Sequence, residues 1–396
     1  MVDFRRDAEA MAAQLIAWRR DLHQHPELGF HEVRTSGIVA QHLGDLGMEV
    51  QTGVGQTGVV GILEGSADGP TVMLRFDMDA LPIQEVSEAP YRSLHPNVMH
   101  ACAHDGHTAI GMGVAALLSQ HRQQLHGRVK LVFQPAEEGL GGAQAMVHAG
   151  ALHAPAPDLA FGLHLWNPFP LGRVVVQEGP LLAAADEFEL TITGRGSHGA
   201  MPHEGVDAIV VTGQVISALQ TVVSRSIDPV HTAVLTIGTI QGGQAFNILA
   251  EQVVMRGTIR TFDRQVRQQV LARAQAVVAG VCQGLNARST WSPCGYPTSA
   301  VVNAPAATTV MRAAAAHVLG DDQVDRITPL MIAEDVSEFL NRVPGCFALL
   351  GAGPHPHPHH NASFDFDERA LPLGVALLCD AAARALNGAQ STSTHR

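Results

Sequence analysis

Four short apolar runs of this chain each end in acidic or histidine side chains. One run leads into Asp77, and the other three lead into Glu137–Glu138, His164 and His359–His360. Apolar runs that alternate with helical patterns predict an α/β sheet, and such sheets carry functional groups at the carboxyl ends of their strands. Each ending alone is explained by ordinary loop polarity, but the four together predict a metal site.

The segment Asn97–His107 is the densest of these candidates, with one cysteine, two histidines and an aspartate within residues 102–107. Side chains two residues apart on an extended segment point to the same side, so Cys102 and His104 are expected to face one centre. The apolar stretch that follows predicts a helix with Thr108 near its N-cap, and a helix N-terminus favours the thiolate that binds metal. A buried cysteine beside surface histidines is the alternative for this motif taken alone.

The composition describes a globular protein of more than one domain. At 396 residues the chain exceeds one comfortable hydrophobic core. A formal net charge of −12 argues against nucleic acid or an anionic membrane as a partner. Charges interrupt every apolar run at the N-terminus, no stretch approaches a membrane span, and the five scattered cysteines imply no disulfide framework. We therefore expect a cytoplasmic protein.

Residues 182–297 have the pattern of a separate domain. Their predicted elements follow a β-α-β-β-α-β order, the split βαβ arrangement of an α+β sandwich, and Pro180 and Tyr296–Pro297 mark hinges at its ends. The remainder keeps the α/β pattern. Residues 1–181 and 298–396 are therefore predicted to form one discontinuous, metal-binding catalytic domain around this insertion.

A polar turn at His23–Glu32 contains three of the many histidines of the chain, His23, His25 and His31. Histidine is a common metal ligand. For this turn, however, the favoured interpretation is that all three are surface residues.

Five side chains emerge as candidate metal ligands, namely Cys102, His104, Glu138, His164 and His360. A catalytic zinc usually takes three protein ligands, so five suit two ions roughly 3.5–4 Å apart that share a bridge. Thiolate and imidazole favour zinc, nickel or cobalt over magnesium, and manganese also accepts histidine and glutamate. Glu137, beside the ligand Glu138, is placed to take a proton from a metal-activated water.

A series of motifs carries a resemblance to a known family. MHACAHDGHTA, QPAEEG, GLHLW, GRGSHGAMPH, IQGGQAFNILAE, RGTIRTFD and HHNASFDFDE, with RRDLHQHPELGFHE and RFDMDALPIQE near the start, occur in the family's order from about residue 19 to residue 375. They resemble the metal-dependent amidohydrolases of the hippurate-hydrolase and auxin-conjugate-hydrolase type, within the aminoacylase and carboxypeptidase metallopeptidase family.

The resemblance implies a mixed-sheet, metallopeptidase-like catalytic domain and an inserted, ferredoxin-like lid and dimerisation domain. It places two divalent ions on the five candidate ligands and the general base on Glu137. His360 is preferred over His359 because it precedes Asn361 in the family's H-N-x-x-x-D-F pattern. The implied assembly is a homodimer through the inserted domain, or a tetramer.

Further roles follow from the same resemblance. His198 of the inserted domain would stabilise the oxyanion, Asn247 and Arg260 would hold the α-carboxylate of the substrate, and Asp77 would support the ligands. This chain departs from the wider family at Arg75, where other branches have histidine, and from its own branch at Ala103, where glycine is usual.

The implied reaction is hydrolysis of the amide bond of an N-acyl amino acid, hippurate-like or N-acetylated, to a carboxylic acid and an amino acid. A dipeptidase or carboxypeptidase acting on small peptides is the nearest alternative. A non-catalytic metal- or ligand-binding protein on the same fold is the alternative from another class, although such a protein has no use for Glu137 and His198.

Overall fold

A computed structural model describes residues 2–388 of the chain. The chain divides into two compact units. The first runs to Leu181 and also contains Val302–Thr328 and the chain from Asp335, whereas the second comprises Leu182–Val301 and Pro329–Glu334. Residue 1 and residues 389–396 of the predicted catalytic domain lie outside the described residues. The catalytic and lid roles of the two units remain predictions.

The described chain alternates helices and strands over most of its length. The α-helices are α1 (Phe4–Ala10), α2 (Ala12–Gln24), α3 (Val33–Asp45), α4 (His104–Gln120), α5 (Gly142–His148), α6 (Ala208–Ser226), α7 (Arg264–Gly284), α8 (Pro305–Leu319), α9 (Ser337–Leu340) and α10 (Ala370–Gly388). The strands are β1 (Glu49–Val54), β2 (Gly58–Glu64), β3 (Ala67–Asp77), β4 (His126–Gln134), β5 (Leu159–Pro170), β6 (Val174–Val175), β7 (Gly179–Leu182), β8 (Ala184–Thr193), β9 (Ala233–Gly242), β10 (Gln252–Thr261), β11 (Arg288–Thr298), β12 (Val301–Asn303), β13 (Val324–Asp325) and β14 (Gly345–Gly353).

The first unit is built on an eight-stranded mixed sheet in the order β1-β2-β4-β3-β5-β14-β6-β13. Strands β4, β3, β5 and β14 pair in parallel, while β1, β2 and β4 pair antiparallel. The last seven residues of β3 and almost all of β14 are buried, as expected for parallel strands covered on both faces. The predicted α/β class with a mixed sheet is confirmed.

The parallel pairing of the strands explains why the polar residues at the ends of the apolar runs lie close together. Strand β3 ends at Asp77 and β4 ends at Gln134, which are paired in the parallel register. His164 differs from the expectation, because β5 continues to Pro170 and the histidine lies within the strand rather than beyond it. Its backbone pairs with Leu349 of β14, so its position is set by the sheet.

Helix α4 packs against the sheet and carries the residues that follow Cys102. It begins at His104 and not near Thr108, because Ala103 adopts a left-handed conformation (φ 67°) that ends the preceding loop. Most of the helix is buried. A Cβ at Gly111 would lie 2.6 Å from the Phe133 ring and 2.7 Å from the Phe76 ring, so a small residue is required there. This close packing fixes the start of α4 relative to the strand ends.

The second unit has the predicted β-α-β-β-α-β order. Its antiparallel sheet has the strand order β11-β8-β10-β9, and α6 and α7 pack on it. A separate apolar core contains Phe188, Leu190 and Met255, and Phe188 stacks on Trp291 with ring centroids 4.0 Å apart. The split βαβ sandwich is confirmed.

Two helices, α6 and α10, are long and apolar enough to cross a membrane by length and composition, contrary to the expectation that no stretch approaches a span. The most apolar window of α10 is 78% buried within the structure, which is typical of a core helix. The corresponding window of α6 is 33% buried, and the buried face of α6 contributes Val211, Val215 and Leu219 to the core of the second unit.

Candidate active site

The five predicted ligands come together in the first unit. Three groups of side chains each place one ligand-type atom per residue within 4.8 Å of the others, and they overlap at shared members. The groups are Cys102, His104 and His164; Cys102, Glu138 and His360; and His104, Glu137 and Glu138. The predicted base Glu137 therefore belongs to the same cluster as the predicted ligands.

His104 presents one defined nitrogen to this cluster. Its Nδ1 lies 2.9 Å from the backbone carbonyl oxygen of Asp79, and a carbonyl only accepts, so Nδ1 carries the proton. In the neutral ring Nε2 then keeps its lone pair, as a metal ligand requires. Nε2 is buried, has no hydrogen-bond partner in residues 2–388, and lies 4.0 Å from Glu138 Oε1.

His164 is oriented in the same way by a different carbonyl. Its Nδ1 donates to the backbone oxygen of Leu165 at 2.8 Å, and its Nε2 lies 3.5 Å from the Sγ of Cys102. Burial lowers the pKa of His164 well below its usual value, which keeps the ring neutral. Two histidines on different elements thus direct their Nε2 atoms into one cluster.

The structure distinguishes His360 from its neighbour His359. His360 Nε2 lies 3.3 Å from Glu138 Oε1, within the cluster. His359 Nε2 instead lies 3.1 Å from the carbonyl oxygen of Leu165, and its ring stacks on Trp166 with centroids 4.5 Å apart. Burial lowers the pKa of His359 to about 4. The geometry agrees with the choice of His360 as the candidate ligand.

Asp77 and His107 form a hydrogen-bonded pair beside the predicted ligands, and with His104 they make a further group of ligand-type atoms. His107 Nε2 accepts the backbone N–H of Leu165 at 2.8 Å, so the proton of the neutral ring sits on Nδ1, 2.5 Å from Asp77 Oδ1. The other oxygen of Asp77 accepts from Arg75 at 2.6 Å and lies 3.7 Å from His104 Nε2. Although burial opposes ionisation, the adjacent histidines and Arg75 hold the pKa of Asp77 well below its usual value.

The donor set fits a divalent cation. Glu138 Oε1 and His104 Nε2 are both buried without a hydrogen-bond partner among the described residues, although Oε1 lies at ion-pair distance from His360. Orphaned buried polar atoms are costly unless a ligand satisfies them. Burial raises the pKa of the Cys102 thiol, whereas hydrogen bonds to Cys102 and Glu138 raise the pKa of His360 to about 10.

Three left-handed non-glycine residues surround the cluster. They are Ala103 (φ 67°), Ala136 (φ 53°) and His360 (φ 63°). Such residues cost on the order of 1–3 kcal/mol each and persist only where the surrounding structure imposes them. Glycine adopts this conformation freely, so a glycine at the position of Ala103 would be free of this strain.

Two residues that orient the site were missed in the sequence analysis. Asp79 holds His104 through its carbonyl oxygen and accepts the backbone N–H of Glu138 at 3.1 Å through its carboxylate. The backbone N–H of Asp335 lies 3.4 Å from Glu137 Oε1. The carboxylate of Asp335 accepts from the side-chain amide of Gln134. The spacing of Asp77 and Asp79 on one strand exit was a usable signal, whereas nothing local marks Asp335.

The histidine turn was partly misjudged. His23 is buried, with Nδ1 2.7 Å from Asp105 and Nε2 3.5 Å from Glu85. The prediction that all three histidines of the turn are surface residues is therefore wrong for His23. It was missed because the carboxylates that accept from it are more than sixty residues away in the sequence.

The remaining predicted site residues belong to the second unit. His198 is exposed, and its Nδ1 accepts the backbone N–H of Ala200 at 3.0 Å. The backbone N–H of Gly199 donates to the carbonyl oxygen of Asn247 at 2.7 Å, and this hydrogen bond joins the loops of His198 and Asn247. Arg260 lies on β10, and burial lowers its pKa. Within residues 2–388 its hydrogen bonds go to Thr258 and Ile259, so no such bond links it to His198 or Asn247.

Comparison with known proteins gives consistent results. The profile of "Peptidase family M20/M25/M40" matches residues 73–384. The chain is 39% identical to an N-acetyl-L-cysteine deacetylase of Bacillus subtilis over 94% of this chain and 88% of the relative. It is 41% identical to an N-acyl-L-amino acid amidohydrolase of Geobacillus stearothermophilus over 71% and 76%. A solved structure, a dinuclear metal-binding M20 peptidase of Bacillus subtilis, has a TM-score of 0.83 at 35% identity, covering 96% and 99%.

The contrast between His360 and His359 yields a direct prediction. We expect His360→Asn to weaken metal binding by more than the roughly 10–100-fold typical of losing an outer partner of a ligand. The matched change His359→Asn should retain metal, since that imidazole contacts Leu165 and Trp166. Elemental analysis after dialysis against graded metal concentrations measures both. Equal retention by the two variants, or the reverse order, would contradict the assignment.

Proposed function

Because this chain belongs to peptidase family M20/M25/M40, we propose that it is a metal-dependent amidohydrolase that cleaves N-acyl amino acids to a carboxylic acid and an amino acid. The observation that carries the proposal is the cluster of five ligand-type side chains with a further carboxylate, Glu137, beside it. Relatives named as an N-acetyl-L-cysteine deacetylase and an N-acyl-L-amino acid amidohydrolase support this substrate class.

The five clustered side chains would hold two divalent ions. When bound, the ions supply Lewis-acid activation of water and of the amide carbonyl. Thiolate and imidazole donors favour zinc, nickel or cobalt over magnesium, and manganese also accepts the histidine and glutamate donors. Cys102, His104 and Glu138 each belong to more than one ligand group, so they are the candidates for joining two ion sites.

Glu137 is the proposed general base. Its carboxylate is half-buried and accepts the backbone N–H of Asp335 at 3.4 Å, so it has a fixed direction. In this role Glu137 takes a proton from the attacking water and returns it to the nitrogen of the leaving amine. Because Glu138 is proposed as the ligand, the two adjacent carboxylates perform different tasks.

His198 is proposed to stabilise the oxyanion. Since Nδ1 accepts the N–H of Ala200, the neutral ring carries its proton on Nε2. That N–H is a donor of the type that stabilises a developing negative charge on an amide oxygen. Asn247, on the adjoining loop, and the guanidinium of Arg260 are proposed to bind the α-carboxylate of the amino acid, for which Arg offers paired donors.

We further propose a homodimer through the second unit, located in the cytoplasm. Strand β9 is the last strand of its sheet, and among the described residues it pairs with β10 alone. Ile240 on this strand is exposed, and Phe246 beyond it is fully exposed. An unpaired edge with exposed apolar side chains suits a twofold partner.

The proposed cytoplasmic location rests on the cysteines. The five free cysteines suit a reducing compartment.

A substrate screen tests the proposed function. We expect hydrolysis of benzoyl-, acetyl- or indolylacetyl-amino acids, loss of activity after exhaustive chelation, and recovery on adding zinc, cobalt, nickel or manganese, because the cluster is proposed to act only with metal bound. Dipeptides serve as the control substrates, since their preferential cleavage would indicate a peptidase. Full activity in protein shown by elemental analysis to be free of metal would contradict the proposal.

The division of labour between the two glutamates is testable by matched substitutions. Glu137→Gln should retain metal and fold but lose at least ~100-fold in kcat, the scale of general acid–base catalysis. Glu138→Gln should lose metal instead, because it removes a proposed ligand. Steady-state kinetics and elemental analysis of both variants decide the matter. If Glu137→Gln loses the metal and Glu138→Gln keeps it, the roles are reversed.

A complementation experiment tests whether His198 acts on the site of its partner. The variants His198→Ala and Glu137→Gln, each nearly inactive, are mixed under subunit exchange. If His198 acts across the dimer, each mixed dimer has one site with both groups intact, so roughly a quarter of wild-type activity should return at full exchange. No recovery, with mixed dimers shown by native mass spectrometry to have formed, would assign His198 to its own subunit.

A further inference from the structure

Two glutamates of the turn before α3 have different structural roles. Glu27 accepts the backbone N–H groups of Arg34 and Thr35, at 2.9 and 2.8 Å, and so caps the first turn of α3. Glu32 reaches out of the turn. Its Oε1 accepts the backbone N–H of Ala136 at 2.9 Å. Both carboxylates accept backbone N–H groups, but only the Glu32 carboxylate accepts one from the loop that carries the proposed base.

Glu32 is held firmly enough to act as a support. Its side chain is fully buried, and its Oε2 accepts the hydroxyl of Thr57 at 2.5 Å. Its backbone oxygen accepts from the hydroxyl of Ser36. Partners on α3 and beside β2 thus hold the residue from both ends. A buried carboxylate with this many donors has one orientation available.

Ala136, the residue that Glu32 contacts, is constrained on every side. Its backbone is left-handed (φ 53°), and its carbonyl oxygen accepts the N–H of Gly142 at 3.0 Å. A Cβ added at Gly29 would lie 3.0 Å from both Cα and Cβ of Ala136, so the turn also packs on it. A left-handed alanine is strained and persists only where such contacts impose it.

The position of Glu137 follows from these contacts. The N–H of Ala136, just before it, is held by Glu32, and the N–H of Glu138, just after it, is held by the carboxylate of Asp79 at 3.1 Å. The N–H of Ala136 belongs to the peptide one residue before Glu137, and the peptide between Ala136 and Glu137 is held through its carbonyl oxygen, which accepts the N–H of Gly142. With these two peptides and the one after Glu137 held, the Cα–Cβ bond of Glu137 has one direction. Release of the Ala136 side would let this residue relax out of its left-handed conformation and turn Glu137 away.

We propose that Glu32 is a positioning residue that fixes the direction of the base Glu137 through the backbone N–H of Ala136, an inference that rests on the proposed amidohydrolase function. Glu32 thereby has a task in the reaction without being a ligand, whereas Glu27 serves only the start of α3. Glu32 acts through a backbone bond, so its contribution depends on an acceptor at Oε1 and not on its charge.

The test compares Glu32→Ala with Glu27→Ala at saturating metal. Glu32→Ala should keep its bound metal and its KM but lose on the order of 10- to 100-fold in kcat, the scale of a misplaced catalytic group. Glu27→Ala should lower the melting temperature, since it removes a helix cap, and leave kcat unchanged. Equal kcat values for the two variants, or loss of metal from Glu32→Ala, would overturn the proposal.

A conservative variant separates position from charge. The side-chain oxygen of Glu32→Gln can still accept the Ala136 N–H, and its amide group can donate to the Thr57 hydroxyl. This variant should restore kcat to within a few-fold of wild type, whereas a value as low as that of Glu32→Ala would show that charge matters and would overturn the proposal.

A second perturbation covers the case in which Glu32→Ala does not fold. Gly29→Ala presses on Ala136 from the turn and removes no carboxylate. It should also lower kcat by about 10-fold with metal retained, and wild-type kcat in this variant would count against the proposal. Absence of hydrolysis by the wild-type protein would contradict the proposed function itself and is thus distinguished from failure of this inference.

Discussion

The backbone carbonyls of Asp79 and Leu165 impose the chemistry of the site, because each accepts an Nδ1–H from a histidine of the cluster. A carbonyl cannot donate, so each ring carries a proton on Nδ1, and in the neutral ring Nε2 is the nitrogen left to bind a metal. Residue 79 follows the end of β3 and residue 165 lies within β5, neighbouring parallel strands of one sheet. The Leu165 carbonyl thus directs His164, whereas His104 is directed by the Asp79 carbonyl together with the Asp79 carboxylate, which lies 3.2 Å from Nδ1.

Backbone strain at the site is balanced by packing elsewhere. Ala103 and Ala136, both left-handed, flank the start of α4 and the loop of Glu137. Alanine at such a position costs energy that glycine does not. Helix α4 recovers that cost through burial, since it packs against the sheet and against α2 and α10. The strained positions lie beside the proposed ligands because the tight loops that converge there leave few conformations open.

Sequence patterns predicted those features of the fold and the site that are determined by residues close together in the chain. The β-α-β-β-α-β unit, the strand endings and the five clustered side chains all follow from periodicity and motif. The start of α4 was misplaced by four residues, because the left-handed Ala103 is invisible to propensity. Glu32 and Asp335 were missed because the residues that they hydrogen-bond lie 104 and 198 positions away in the sequence, which no local pattern indicates. Asp79 could have been found from its spacing with Asp77.

A buried network of charged groups connects α2 to the start of α4. Arg19 on α2 and Asp105, next to His104, are both fully buried. The Nε of Arg19 lies 2.7 Å from Oδ2 of Asp105, and Nδ1 of His23 donates to the same oxygen. The guanidinium also lies 4.4 Å from the centre of the Phe366 ring. Buried charge pairs contribute little net stability, yet loss of one partner costs about 3–5 kcal/mol. The main effect of such a pair is therefore to fix how the two helices are aligned. It permits one placement of α4 against α2, and with it one position for His104, which follows the strained Ala103 and precedes the paired aspartate.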